Sequence, residues 1–276
     1  MDSQTSVKVL VFVEGPTNEK QVVRVVNLIT QHFPADITLL TTDDRAHTGP
    51  SRLEALRSEL MISADDRAAT VVQSGPVADV ILNQSLAAAY DLIVVTAADR
   101  SRLMRLFLGS RVAHVVRESN TSVLVVRRPP GKIERILVSI GGMAPSLETV
   151  HLAGRWGLAF DAPVTILHVL SQLPLMFQGL EAEPGRHRLD ELESIEPEVR
   201  PLLQQAIDEL DAQGVLGGLR LREGLVAEQV LAEVVEGKYD LLVIGAHAAF
   251  GMDRLLMDDL CNRLVLNSPI STLVVR

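Results

Sequence analysis

Two stretches of the chain combine residues able to hold or mimic an anion with a turn able to present them. YDLLVIGAHAAFGMDRLLMDDLCNRLV (239–265) runs from a strand-like segment through a loop into a helix-like one. Strand-to-helix turns leave backbone N–H groups unpaired at the helix start, and phosphates dock there. Glycines and small hydroxyl residues usually line such turns. This one has Gly245 and Ala248, followed by two adjacent carboxylates, Asp258 and Asp259. At a helix start those carboxylates would supply the negative charge that a phosphate would otherwise bring, and would repel a triphosphate. A Mg²⁺ site is the other use of such a pair. The matching stretch YDLIVVTAADRSRLMRLFLGSRVAHVV (90–116) carries Gly109 and Ser110 instead, which read as a residual anion site or as an ordinary helix cap.

Other reactive types are sparse. The seven histidines show no HxxxH or HxH spacing, and the single cysteine rules out a paired-thiol metal site. His247 falls in the second loop and His168 at a strand end, where either could line a cleft or simply pack. Cys261 shares a helix face with Leu264 and Val265 and reads as core. No Walker sequence and no Ser-His-Asp or Cys-His arrangement is visible.

The elements that must position these residues occur twice. Residues 90–127 align without a gap on 239–276 at an offset of 149, both opening Tyr-Asp-Leu and closing Leu-Val-Val-Arg. KVLVFVEG (8–15) aligns on RILVSIGG (135–142) at an offset of 127, so the second copy holds 22 extra residues between these anchors. The join is RRPPGKIE (127–134), whose prolines and glycine end regular structure. The expected domains are 1–128 and 133–276, with an insertion near 171–199. Its segment LPLMFQGL is a candidate contact for a further dimer, or a loop folded over an edge.

Within each copy, continuous Val/Ile/Leu runs alternate with amphipathic runs: VKVLVFV, DITLLTT, AATVVQS, DLIVVT and SVLVVRR in the first, RILVSI, VTILHVL, LRLREG, DLLVIGA and STLVVR in the second. That alternation predicts parallel sheets covered by helices on both faces, with ligands beyond the carboxyl ends of the strands. The 276 residues, 47% hydrophobic and 22% charged, suffice for two such cores. A net charge of −9 argues against general nucleic-acid binding. The polar start, the lone cysteine and the lack of a long apolar run lead to the expectation of a cytoplasmic protein that does not enter membranes.

The two modules, the domain length and the strand ends VEG and IGG resemble the universal stress proteins, here as a tandem pair. The resemblance implies two Rossmann-like (adenine nucleotide alpha hydrolase-like) domains, each with a five-stranded parallel sheet, packed as an internal pseudo-dimer. It also implies, in ATP-binding members, G-x2-G-x9-G-S/T after strand four and an Asp ending strand one. Mapped onto the first copy, the motif falls on Thr96, Asp99, Gly109 and Ser110, with Glu14 and Gly15 ending strand one. The phosphate end survives there and the early glycines do not. In the second copy it falls on Gly245, Ala248, Asp258 and Asp259, with Gly141 and Gly142 where the acid would be. Thr42 and Val169, at the second strands, complete the two candidate sets.

Three functions follow. One is a non-catalytic stress-response or signalling protein with degenerate nucleotide sites that acts through partners. Another is a sensor of ATP or AMP using the first cleft. The last is a hydrolase or transferase on the same fold, for which no nucleophile or base stands out.

Overall fold

The computed structural model describes residues 6–16, 18–43, 49–61, 67–97, 111–127, 131–141, 146–170, 199–246 and 252–276. The chain divides into two compact units, Met1–Lys132 with Ser271–Val274, and Ile133–Ile270 with Val275–Arg276.

In the first unit the order is β1 (Val7–Phe12), α1 (Glu19–Thr30), β2 (Ala35–Thr42), α2 (Gly49–Glu59), β3 (Arg67–Gln73), α3 (Val77–Ala87), β4 (Leu92–Thr96), a helix α4 over 111–118, and β5 (Ser122–Val126). The apolar runs form the centre of the sheet because both of its faces are covered. Val9, Leu10 and Val11 of β1 and Ile93 and Val94 of β4 are wholly buried. Each such side chain contributes about 1.5–3 kcal/mol of burial. On α1 the buried Val22, Val25, Val26 and Ile29 recur at the three- and four-residue spacing that places them on one face.

The strand order is β3-β2-β1-β4-β5, and every neighbouring pair is parallel. The chain moves from β1 outward to β3, then returns to the other side of β1 for β4. A switch point therefore opens between the carboxyl ends of β1 and β4. Residues of β10 (Ser271–Val275) extend this unit's sheet antiparallel to β5, with Leu273 opposite Leu124.

The second unit repeats the plan with β6 (Ile136–Ile140), α5 (Ser146–Phe160), β7 (Val164–Leu170), α6 (Val199–Ala212), β8 (Gly217–Glu223), α7 (Val226–Glu236), β9 (Leu241–Gly245) and α8 (Met252–Asn267). Its parallel order β8-β7-β6-β9 puts the switch point between β6 and β9. The expected alternation of strands and helices is present in both copies. The insertion lies between β7 and α6, and its residues 171–198 are outside the described ones, so LPLMFQGL is too.

The helix start expected at Asp258 and Asp259 is corrected. α8 begins at Met252, so both residues sit beyond its first turn. The unpaired N–H groups belong to the first turn alone. The pair therefore neither caps this helix nor replaces a phosphate at its start. Met-Asp-Arg-Leu-Leu at 252–256 already has helical propensity.

Candidate functional site

In the first unit the chain leaves β1 through Val13, whose N–H donates to Leu40, and reaches Glu14 and Gly15. Gly15 has φ +155°, a conformation L side chains rarely adopt. The turn is fixed from inside by Asn18, which is 3% exposed. Its Nδ2 donates to Thr96 Oγ1 at 2.7 Å, and its Oδ1 accepts from the Gly15 N–H at 3.2 Å. Asn18 stands at the N-cap position of α1 but makes no cap hydrogen bond with its side chain. The amide joins the end of β1 to the end of β4 instead, across the switch point.

Beside this tie lies a pocket lined by Phe12, Glu14, Thr96 and Val95 from the strand ends, and by residues of α3 and α4. Val77 and Ile81 of α3 and Val112 and Val115 of α4 make its walls aliphatic. Its charged groups are Glu14 and Arg111. Arg111 Nη1 stands 3.6 Å from Glu14 Oε1, with the two side chains 50% and 31% exposed. At that separation the pair is a loose ion pair and not a hydrogen bond.

The structure thus brings Glu14 and Thr96 to one pocket. Gly15 shapes the turn beside it. Thr42 ends β2 opposite Gln73 and does not line the pocket. Asp99, Gly109 and Ser110 lie outside the described residues, and α4 is helical from Arg111 onward.

In the second unit Gly141 is exposed and follows β6, Val169 is buried within β7, and Gly245 ends β9. Asp259 is exposed on α8. Gly142, Ala248 and His247 lie outside the described residues, as does the side chain of Asp258. No carboxylate takes the place of Glu14, since the chain continues from Ile140 into Gly141. Cys261, Leu264 and Val265 are all buried, as their shared face predicts. Cys261 Sγ lies 3.6 Å from the Gly245 carbonyl.

His168, 6% exposed, packs with Nδ1 3.1 Å from the Ile140 carbonyl. Its counterpart at the offset of 127 is Thr41, whose Oγ1 donates to the Val13 carbonyl at 2.7 Å. Val13 and Ile140 are counterparts too. The same strand-end carbonyl is thus satisfied in both copies, by a hydroxyl in one and an imidazole in the other. Packing is the role this contact gives His168.

Two residues of the site carry no signal in the motif comparison. Arg111 follows Ser110 directly, and only its nearness to the phosphate end hints at it. Asn18, just before an amphipathic run, reads as a helix cap, and its cross-strand bond to Thr96 spans 78 residues. Among the described residues no group of three or more His, Cys, Asp or Glu is placed to hold a metal ion. No helix among them is long and apolar enough to cross a membrane.

The model of the universal stress protein family matches the chain twice, over residues 7–127 and 132–276. A universal stress protein of Methanocaldococcus jannaschii is 26% identical over 152 residues, 55% of this chain and 87% of the relative. Among solved structures, a Pseudomonas aeruginosa chain described as a candidate universal stress protein superposes with a TM-score of 0.73 at 17% identity. The match covers 99% of this chain and 94% of that one. A universal stress protein from Archaeoglobus fulgidus superposes with a TM-score of 0.66 at 13% identity, over 97% and 96% of the two chains. At such identities the likeness is one of fold.

Proposed function

Because the chain belongs to the universal stress protein family, as two copies in tandem, we propose that it is a non-catalytic stress-response or signalling protein that acts through partner proteins. Its domains are 1–128 and 133–276, its two halves pair internally, and it works in the cytoplasm. Its nucleotide sites are degenerate. The observation that carries this reading is the Glu14–Arg111 ion pair at 3.6 Å. The acid that the family resemblance assigns to ligand recognition already faces a cation of its own chain. The second half supports the same reading, with Gly141 in place of the acid and Asp258 and Asp259 set within a helix.

The test is to denature freshly purified protein, identify any released nucleotide by chromatography, and titrate ATP with and without Mg²⁺. The expected outcome is no nucleotide and no binding at millimolar ATP.

One observation favours a second reading, an ATP or AMP sensor working from the first half. Arg111, which follows Ser110 in the sequence, sets a cation at the pocket able to pair with phosphate oxygens. Nucleotide that copurifies, or binding in the micromolar range that is lost on Ser110→Asp and weakened by Arg111→Gln, would replace the first reading with this one.

A further inference from the structure

The pocket of the first unit has two properties that together select a ligand. Its walls are aliphatic, from Val77, Ile81, Val95, Val112 and Val115, with Phe12 at one side. Its charges are one carboxylate and one guanidinium held side by side, Glu14 and Arg111. The pocket is half open and offers about 30 Å³, where a single water position takes roughly 10–15 Å³. That suits a short branched group of a few carbon atoms.

The charge pair discriminates among small molecules with such a group. An anion that took Arg111 would separate it from Glu14 and leave that carboxylate facing a like charge. A cation that took Glu14 would likewise face Arg111 as a like charge. A molecule carrying both charged groups on one carbon atom can insert between the two side chains and leave neither facing a like charge alone. The 3.6 Å separation is longer than a hydrogen bond, so each side chain gains charge-assisted bonds by the exchange. Both are solvent-facing enough to admit the ligand. Thr96, buried at the strand end, accepts from Asn18 and keeps its own O–H as a donor at the pocket wall.

We propose that this pocket binds a small zwitterion with a short aliphatic side chain, of the α-amino-acid class. Its carboxylate pairs with Arg111, its ammonium with Glu14, and its side chain lies against Val77, Ile81, Val112 and Val115. The inference goes beyond the proposed degenerate nucleotide sites and does not depend on them, because the ATP titration and this one use separate ligands.

Calorimetric titration of the full chain tests it with three probes that share one apolar group. These are L-leucine, 4-methylpentanoate, which lacks the ammonium, and 3-methylbutylamine, which lacks the carboxylate. Saturable leucine binding is expected, with each half-ligand weaker by about tenfold or more, the usual worth of a charge-assisted bond. Glu14→Gln removes the partner of the ammonium and should shift preference toward 4-methylpentanoate. Arg111→Gln should shift it toward the amine. Both side chains are partly exposed, so both variants keep the fold. No saturable leucine binding up to about ten millimolar would overturn the proposal. So would equal affinity for all three probes, or a preference unchanged by either variant.

Discussion

Arg222 of β8 donates from Nε to Glu233 Oε2 of α7 at 2.8 Å, and at the offset of 149 the first copy places Gln73 and Gln84 in the same contact, at 2.6 Å. The third member also repeats. Tyr239 hydroxyl donates to Glu233 at 3.2 Å, and Tyr90 hydroxyl accepts from Gln84 at 3.1 Å. One copy therefore holds its outer strand to its third helix with neutral amides, the other with a charged pair. Glu233 is 3% and Arg222 11% exposed at the side chain. Burial opposes the charge on Arg222, but Glu236 and Glu233 outweigh it and hold its pKa above the ordinary value. Burial likewise pushes the Tyr239 hydroxyl up, with Glu233 beside it.

A buried pair is costly to break and cheap to replace whole. Arg222→Gln alone should destabilise the protein by about 3 kcal/mol, because Glu233 is left charged and buried. Arg222→Gln with Glu233→Gln rebuilds the contact of the first copy. That double variant should recover most of the loss, to within about 1–2 kcal/mol of the parent. Urea denaturation of the parent, the singles and the double gives the coupling. Additive effects of the two substitutions would refute this account.

Gly157 and Gly154 lie one turn apart on α5 but should respond differently to alanine. A Cβ at Gly157 would meet Val164 Cγ2 at 2.6 Å, Val215 Cγ1 at 2.9 Å and the Ala162 carbonyl at 3.0 Å. The buried, branched Val164 and Val215 side chains and the Ala162 backbone have little room to move aside, so Gly157→Ala should cost about 1–3 kcal/mol. At Gly154 the obstacle is the end of the Gln213 side chain, at 2.7 Å. That end can swing away at the cost of its hydrogen bond to Glu209, and the gain of up to about 1 kcal/mol of helix propensity from alanine offsets that loss. Gly154→Ala should be near neutral in thermal melts.

Asn18→Ala should lower stability by about 1–2 kcal/mol, since it removes the buried amide and leaves the Gly15 N–H without that acceptor. The Gly15 amide proton should then exchange faster with solvent. Unchanged exchange would mean that another group holds the turn.

Acid sensitivity should trace in part to α5 and α6. His151 Nδ1 lies 2.6 Å from Glu209 Oε1, and Gln213 Nε2 donates to the same oxygen at 2.7 Å. The hydrogen bond from His151, then that from Gln213, holds the Glu209 carboxyl below its ordinary 4.5, against a smaller opposing effect of burial. A folded pKa below the unfolded one means the folded protein binds fewer protons there. The stabilisation is complete above about pH 4.5 and fades as pH falls through the folded value. Glu209→Gln should lower stability slightly in the neutral range, where the carboxylate contributes fully, and so flatten the further loss below that pH. The groups are partly exposed, so the effect is small. An unaltered acid limb would exclude Glu209 as a contributor.

The repeat and the alternation of strands and helices are legible in the sequence. Each follows from local apolar pattern, and a covered parallel strand must be apolar throughout. The depth of Asp258 and Asp259 in α8 is not legible there, because where a loop yields to a helix depends on how the chain leaves β9. Nor is the meeting of Glu14 with Arg111, or of Asn18 with Thr96. Those contacts exist because the sheet order returns the chain to the far side of β1, which brings residues far apart in sequence to one switch point. The exchange of Gln73 and Gln84 for Arg222 and Glu233 lies between the two. Both substitutions can be read at one offset, but only packing shows that they touch and so had to change together.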